Sequence, residues 1–207
     1  MKSVHPEVLD VLEALTEKIT VYKISLSSIA VGNALYGMKC MSSDHEEVRK
    51  MLAALIPKIE SMTYPLEMRD ISSAFIGLRE MGEDVPEVAT LMILLTDKLT
   101  NCTEDLGNKS LHCISTGLMA KDPDHPSVSG ALTALGRKLM ASKEEFTIHA
   151  LLSAISNMKR MDNKNKSVQF FHDTCKSKIA LYNRTDPDLE GKGYRTRKVR
   201  PGPVIQP

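Results

Sequence analysis

The chain has 207 residues, 42% of them apolar and 26% charged, with a formal net charge of +1. That balance belongs to a soluble globular chain and excludes a disordered polyelectrolyte. Aromatic residues make up only 4% and Trp is absent, while Ala, Leu, Met, Lys and Glu are plentiful, which argues against a strand-rich domain and for helices.

The charge is unevenly placed. Residues 184–207 hold six of the 27 Lys and Arg and three of the 26 Asp and Glu, leaving 21 cations against 23 anions in the rest. The body is therefore slightly acidic and the C-terminal segment basic. The four cysteines, Cys40, Cys102, Cys113 and Cys175, form no CxxC pair, so a reducing intracellular compartment is expected, with cytoplasm and organelle matrix both open. The first residues, MKSVHPEVLD, show no secretory pattern, and no apolar run is long enough to cross a membrane.

A strict internal period dominates the chain. Val8, Val48, Val88, Val128 and Val168 are spaced by 40, and so are Lys18, Lys58, Lys98, Lys138 and Lys178. Ile19, Ile59, Leu99, Leu139 and Ile179 keep the same register without an insertion. Such self-similarity is the sequence mark of a repeat architecture.

In chain order, the first element is a lone helix over residues 6–20, of the type called here helix B. Four pairs follow, each a shorter helix A and then a helix B. The first helix A carries a stripe of Val31, Ala34, Leu35, Met38 and Met41. The next helix B carries Val48, Met51, Leu52, Leu55 and Ile59, the i, i+3, i+4, i+7 spacing of an amphipathic helix. Later copies of helix A read Ile71, Ala74, Phe75, Leu78, Met81, then Leu111, Ile114, Ser115, Leu118, then Leu151, Ala154, Ile155, Met158, Met161. Asp44, Asp84 and Asp124 are expected to be N-caps of helix B, with Glu47 and Glu87 completing capping boxes. Pro57 should fray or kink its helix. Gly37, Gly77 and Gly117 recur inside helix A, with Asn157 in the fourth copy; glycine there costs about 1 kcal/mol against Ala, so its recurrence predicts a neighbouring helix too close for a side chain.

The predicted fold is an all-α solenoid of about nine helices over residues 1–182, with an extended basic tail over 183–207. A chain opening on an unpaired helix B leaves an apolar face uncovered. Either that helix is itself a cap or the chain is a piece of a longer array, and an oligomer, a partner or a missing N-terminal repeat is expected to cover the face. The last helix B departs from the pattern with Phe170, Phe171 and His172.

The segment Asn33-Ala34-Leu35-Tyr36-Gly37-Met38, followed by Met41, resembles the first-helix motif of octotricopeptide repeats, and in period the chain is also similar to HEAT and armadillo arrays. The octotricopeptide resemblance implies a stack of helical pairs that binds RNA in an organelle.

No sequence motif points to catalysis: a phosphate-cradling glycine loop, HExxH and GxSxG are all missing. His112 and Cys113 are neighbours on a helix and point about 100° apart, so they cannot act as base and nucleophile on each other. His5, His45 and His125 share one register but lie in separate repeats, too far apart to meet at about 2 Å from one metal ion. The chain is expected to be no enzyme, with no metal, cofactor or small-molecule substrate.

Candidate binding residues are those that vary at equal positions. Helix A offers Asn33, Tyr36, Arg69, Ser73, Ile76, Lys109, His112, Thr116, His149 and Ser153. The row Lys18, Lys58, Lys98, Lys138 and Lys178 would align five amines along one edge, either as a track for a phosphate backbone or as helix-dipole caps. In the tail, Tyr194, Arg195, Arg197, Lys198 and Arg200 would anchor an extended segment on an acidic or phosphate-bearing surface. The partner is expected to be a protein within an assembly or an RNA.

Overall fold

A computed structural model of the chain describes residues 5–23 and 25–185. Among these residues the structure is entirely helical, with nine helices and no strand: α1 Pro6–Val21, α2 Ser28–Gly37, α3 Glu46–Glu60, α4 Met68–Gly77, α5 Pro86–Asn101, α6 Asn108–Leu118, α7 Pro126–Ala141, α8 Ile148–Asn157 and α9 Lys166–Thr185. The last helix passes the expected boundary at residue 182.

The helices alternate between two rows. The odd-numbered helices, the B type, pack in order α1 on α3 on α5 on α7 on α9. The shorter even-numbered helices pack as α2 on α4 on α6 on α8. This packing fits an α-solenoid. Its core is one continuous cluster between the rows, running from Leu12 to Cys175. The repeated apolar positions form it: Val48, Val88, Val128 and Val168 are fully buried, as are Leu55, Leu95 and Leu135.

Backbone approach in the A row explains the recurring glycines. A Cβ on Gly77 would overlap the carbonyl of Leu35 in α2, and one on Gly117 would overlap that of Phe75 in α4. Gly37, with no earlier helix A beside it, would meet nothing within 4 Å. Asn157 ends the series differently, as its amide donates to Ser115 Oγ at 3.0 Å and Thr116 Oγ1 at 3.2 Å.

Helix capping corrects the expectation for Asp44, Asp84 and Asp124. The B helices start one residue later than that reading placed them, with His45, Val85 and His125 at the N-cap. The preceding turn takes up the backbone amides of Asp44 and Asp124. Ser42, Asp122 and Asp162 each accept from the amide two residues on, at 3.1, 3.0 and 2.9 Å. Such local side-chain bonds compete with the helix for polar residues. In the last unit Asn165 caps α9, accepting from Ser167 N at 2.9 Å and Val168 N at 3.3 Å. Pro57 does not end α3, which continues to Glu60.

Replacing the fully buried Leu95 by Ala should cost about 2–5 kcal/mol. A Gly77→Ala variant should be markedly destabilised, whereas Gly37→Ala should lose nothing and gain up to about 1 kcal/mol of helix propensity. Urea denaturation of the three variants checks this, and equal losses at the two glycines would contradict the packing.

Candidate binding surfaces

The lysine row is tied into the fold. Lys58 Nζ donates to the carbonyl of Tyr22, Lys138 Nζ to that of Cys102, and Lys178 Nζ to that of Ser142 at 2.9 Å. Tyr22, Cys102 and Ser142 are the C-cap residues of α1, α5 and α7. Each amine therefore meets the negative end of the B helix one unit earlier, not the end of its own helix. Lys178 also lies 5.8 Å from the centre of the Phe146 ring. Lys98 is half-buried in the same register, and Lys18, with no earlier helix B, is exposed.

A second set of ties joins the A–B turns. Ser43 Oγ accepts from Gly82 N at 3.0 Å, and Asn165 Nδ2 donates to the Pro123 carbonyl at 3.0 Å and to Asp124 Oδ1 at 2.8 Å. Between them, Lys121 sends its buried amine to the Met81 carbonyl and lies 3.9 Å from Glu83. Burial pushes its pKa down, and Glu83 opposes the shift. Asp70 is a buried carboxylate beside Gly32, accepting from the Ser28 hydroxyl at 2.6 Å. Sequence reasoning singled out neither Lys121 nor Asp70, since neither recurs at its register.

The variable residues of helix A divide. Asn33, Tyr36, Arg69, Lys109, His112 and His149 are exposed, and Ser73, Ile76 and Ser153 are half-buried. Thr116 departs from the expected partner-facing role: it is 9% exposed and takes up the Asn157 amide, so α8 covers it. Arg69, Lys109 and His149 stand at one register, giving three of the four A helices an exposed basic side chain in line. Tyr36 holds the Lys39 amine, bonded at 2.9 Å and 4.4 Å from the ring centre. The tail residues Tyr194, Arg195, Arg197, Lys198 and Arg200 lie outside the described residues.

The reactive side chains are placed quietly. All four cysteines are free thiols. Burial pushes the Cys113 thiol up, the reverse of what activates a nucleophile, and raises Cys175 to about 12. His112 is exposed. His125 sits at an N-cap with Nδ1 2.8 Å from Ser127 Oγ. No group of three or more His, Cys, Asp or Glu among the described residues could hold a metal, and no helix among them is long and apolar enough to cross a membrane.

The two ends of the stack differ. At the C-terminal end, Lys159, Asn163, Gln169, His172, Asp173 and Lys176 surround an open groove beside Ile155. His172 stands where the other B helices carry the buried Leu52, Met92 and Leu132. At the N-terminal end, Val8, Val11 and Leu15 of α1 are 37, 57 and 47% exposed.

Compared with known proteins, the chain matches no family model, no curated protein and no solved structure. The resemblance to octotricopeptide repeats stays with the residues that carry it.

Two variants test these surfaces. Lys138→Met should lower stability by about 1 kcal/mol, because it strands a carbonyl at the end of α5; urea denaturation reads this directly. His172 has its pKa pushed below 6.5, first by burial and then by Lys176, against the opposing pull of Asp173 and the Ile155 backbone. The unfolded chain then binds more protons than the folded one just below pH 6.5, so stability is full above that pH and falls as acid is added. His172→Leu should flatten that part of the stability–pH curve. An unchanged slope would show that His172 is not the titrating group.

Proposed function

We propose that the chain is a non-catalytic α-solenoid of 40-residue repeats that serves as a protein-binding scaffold, a subunit of a larger assembly. The observation that carries this reading is the fate of the repeated lysines. Three of the five amines are bonded to backbone carbonyls of the preceding unit, so the edge most suited to follow a phosphate backbone is occupied in joining helices. What remains outward on helix A is chemically mixed, with the hydroxyl, imidazole and apolar groups of Ser73, His112, Ile76 and Tyr36 over a slightly acidic body. Protein interfaces favour such mixtures, with aromatic residues among them. The four free thiols fit a reducing intracellular compartment.

RNA binding is the second reading, and one observation favours it. Arg69, Lys109 and His149 form an exposed basic line at one register, spaced as a helical-repeat RNA binder would space its contacts. The resemblance at residues 33–41 points the same way. Four A helices would read only a few bases.

Photo-crosslinking side chains placed separately at Ser73, His112 and Ser153 separate the two. The scaffold reading expects adducts in the native cell that protease digests and ribonuclease leaves intact. In parallel, single-stranded RNA should bind the purified chain weakly and without sequence preference. Ribonuclease-sensitive adducts, together with tight sequence-selective RNA binding lost in an Arg69→Ala, Lys109→Ala double variant, would transfer the function to RNA.

A further inference from the structure

The four turns that lead from an A helix to its B helix are closed alike and built differently. One backbone bond shuts each, from the amides of Met41, Met81, Lys121 and Met161 to the carbonyls of Met38, Leu78, Leu118 and Met158, at 2.9 to 3.2 Å. In the third turn Met119 has φ −57° and ψ 132°, and Ala120 has φ 66°. That is a type II turn, whose third residue takes the left-handed conformation that favours glycine. Ala120 is the one non-glycine residue with a positive φ among the described residues. Cys40, Glu80 and Arg160, at the same place in the other turns, therefore do not share it. Types I and II differ by about a half-turn of the peptide between the two central residues. One register thus occurs in two forms within a single molecule.

We propose that residues 118–121 form a two-state turn, held in its left-handed form by Lys121, which latches it onto the turn of the preceding unit. Lys121 stands where the other copies carry Met41, Met81 and Met161, and it is only 4% exposed. Its amine donates to the Met81 carbonyl and lies 3.9 Å from Glu83 Oε2. The next amide, that of Asp122, donates to Glu83 Oε1. Two consecutive residues past the turn are thus fastened to residues 81–83. A methionine side chain cannot donate such a bond, and the three turns that carry methionine have no left-handed residue. Both parts of the arrangement cost free energy: an amine buried at an apolar position and an alanine at positive φ. Strain of this kind persists where its surroundings over-determine it, and it gathers in switch regions. On release, Lys121 leaves the apolar site and Ala120 returns to the form of the other turns. The turn joins α6 to α7 in the middle of the stack, so its release loosens the junction between the second and third helix pairs. A scaffold with such a joint adjusts its bend to what it holds. The latch goes beyond the scaffold reading and does not depend on it.

Nuclear magnetic resonance on the full chain is the test. Amides 119–122 should show relaxation dispersion from a minor state of about 1–10%, while amides 39–42, 79–82 and 159–162 stay silent. In the parent a strong Overhauser effect between the amide and α protons of Ala120 reports its positive φ. Lys121→Met restores the residue of the other copies, so the chain should fold. In it that effect should drop to the strength seen at Cys40, Glu80 and Arg160. Ala120→Gly suits the left-handed form and should raise the urea midpoint. A Lys121→Met chain that keeps the strong effect overturns the proposal. So does a parent without dispersion at 119–122, or an Ala120→Gly chain no more stable than the parent. Dispersion of equal size in all four turns overturns it too, since the lysine would then single out nothing. None of these outcomes bears on partner binding, which the cross-links at Ser73, His112 and Ser153 decide.

Discussion

The structure depends on how closely the A helices approach one another. Gly77 and Gly117 let α4 settle on the carbonyls of α2, and α6 on those of α4. That approach sets the spacing of the whole A row, and through the short turns it sets the spacing of the B row. Close packing rewards such fit because interiors tolerate few voids, and each carbon–carbon contact adds little by itself. The glycines cost helix propensity, and the packing across the row offsets that cost. Where the glycine gives way to Asn157, an amide reaches back to two hydroxyls and a polar tie replaces part of the backbone contact.

The polar ties follow the same geometry. Because successive B helices lie side by side, a lysine in the last turn of one comes near the carbonyl end of the one before. A lysine that sequence logic assigns to its own helix dipole serves the neighbour instead. The Ser43 and Asn165 bonds do for the A–B turns what the lysines do for the other side. Polar groups at helix ends must find partners, and a stack offers them the adjacent unit.

The helices were legible because the period is strict and the apolar spacing helical. Val48, Leu55 and Ile59 are buried as their spacing predicts, and the glycine recurrence foretold the close approach. The cap positions were misread by one residue, because Ser42 and Asp122 form local turns that a search for Asp ahead of a helix does not register. Thr116 was taken for an outward residue because it varies among copies, yet it varies to suit Asn157 across the row. Variation marks either a partner-facing position or a place where two neighbours change together, and a single chain does not separate the two. Lys121 and Asp70 were invisible for a related reason: each fits a local partner, Met81 with Glu83 or Ser28 beside Gly32, and neither belongs to the repeating pattern. The basic register of Arg69, Lys109 and His149 was legible as variation, and its exposure came only from the fold.

Among the described residues, the side-chain bonds between successive units span 34 to 42 residues, and none reaches two units away. Helix packing among the described residues likewise joins neighbouring units, so this part of the chain is held by nearest-neighbour ties and not by the long-range closures that make a globular domain melt as one body. Its cooperativity has a length, set by how strongly each junction couples its two sides. A junction floored by glycine on backbone and one bridged by Asn157 need not couple equally. Under tension or at the edge of stability, such a chain yields in steps of about one repeat, from an end inward, so part of it can open while the rest stays folded.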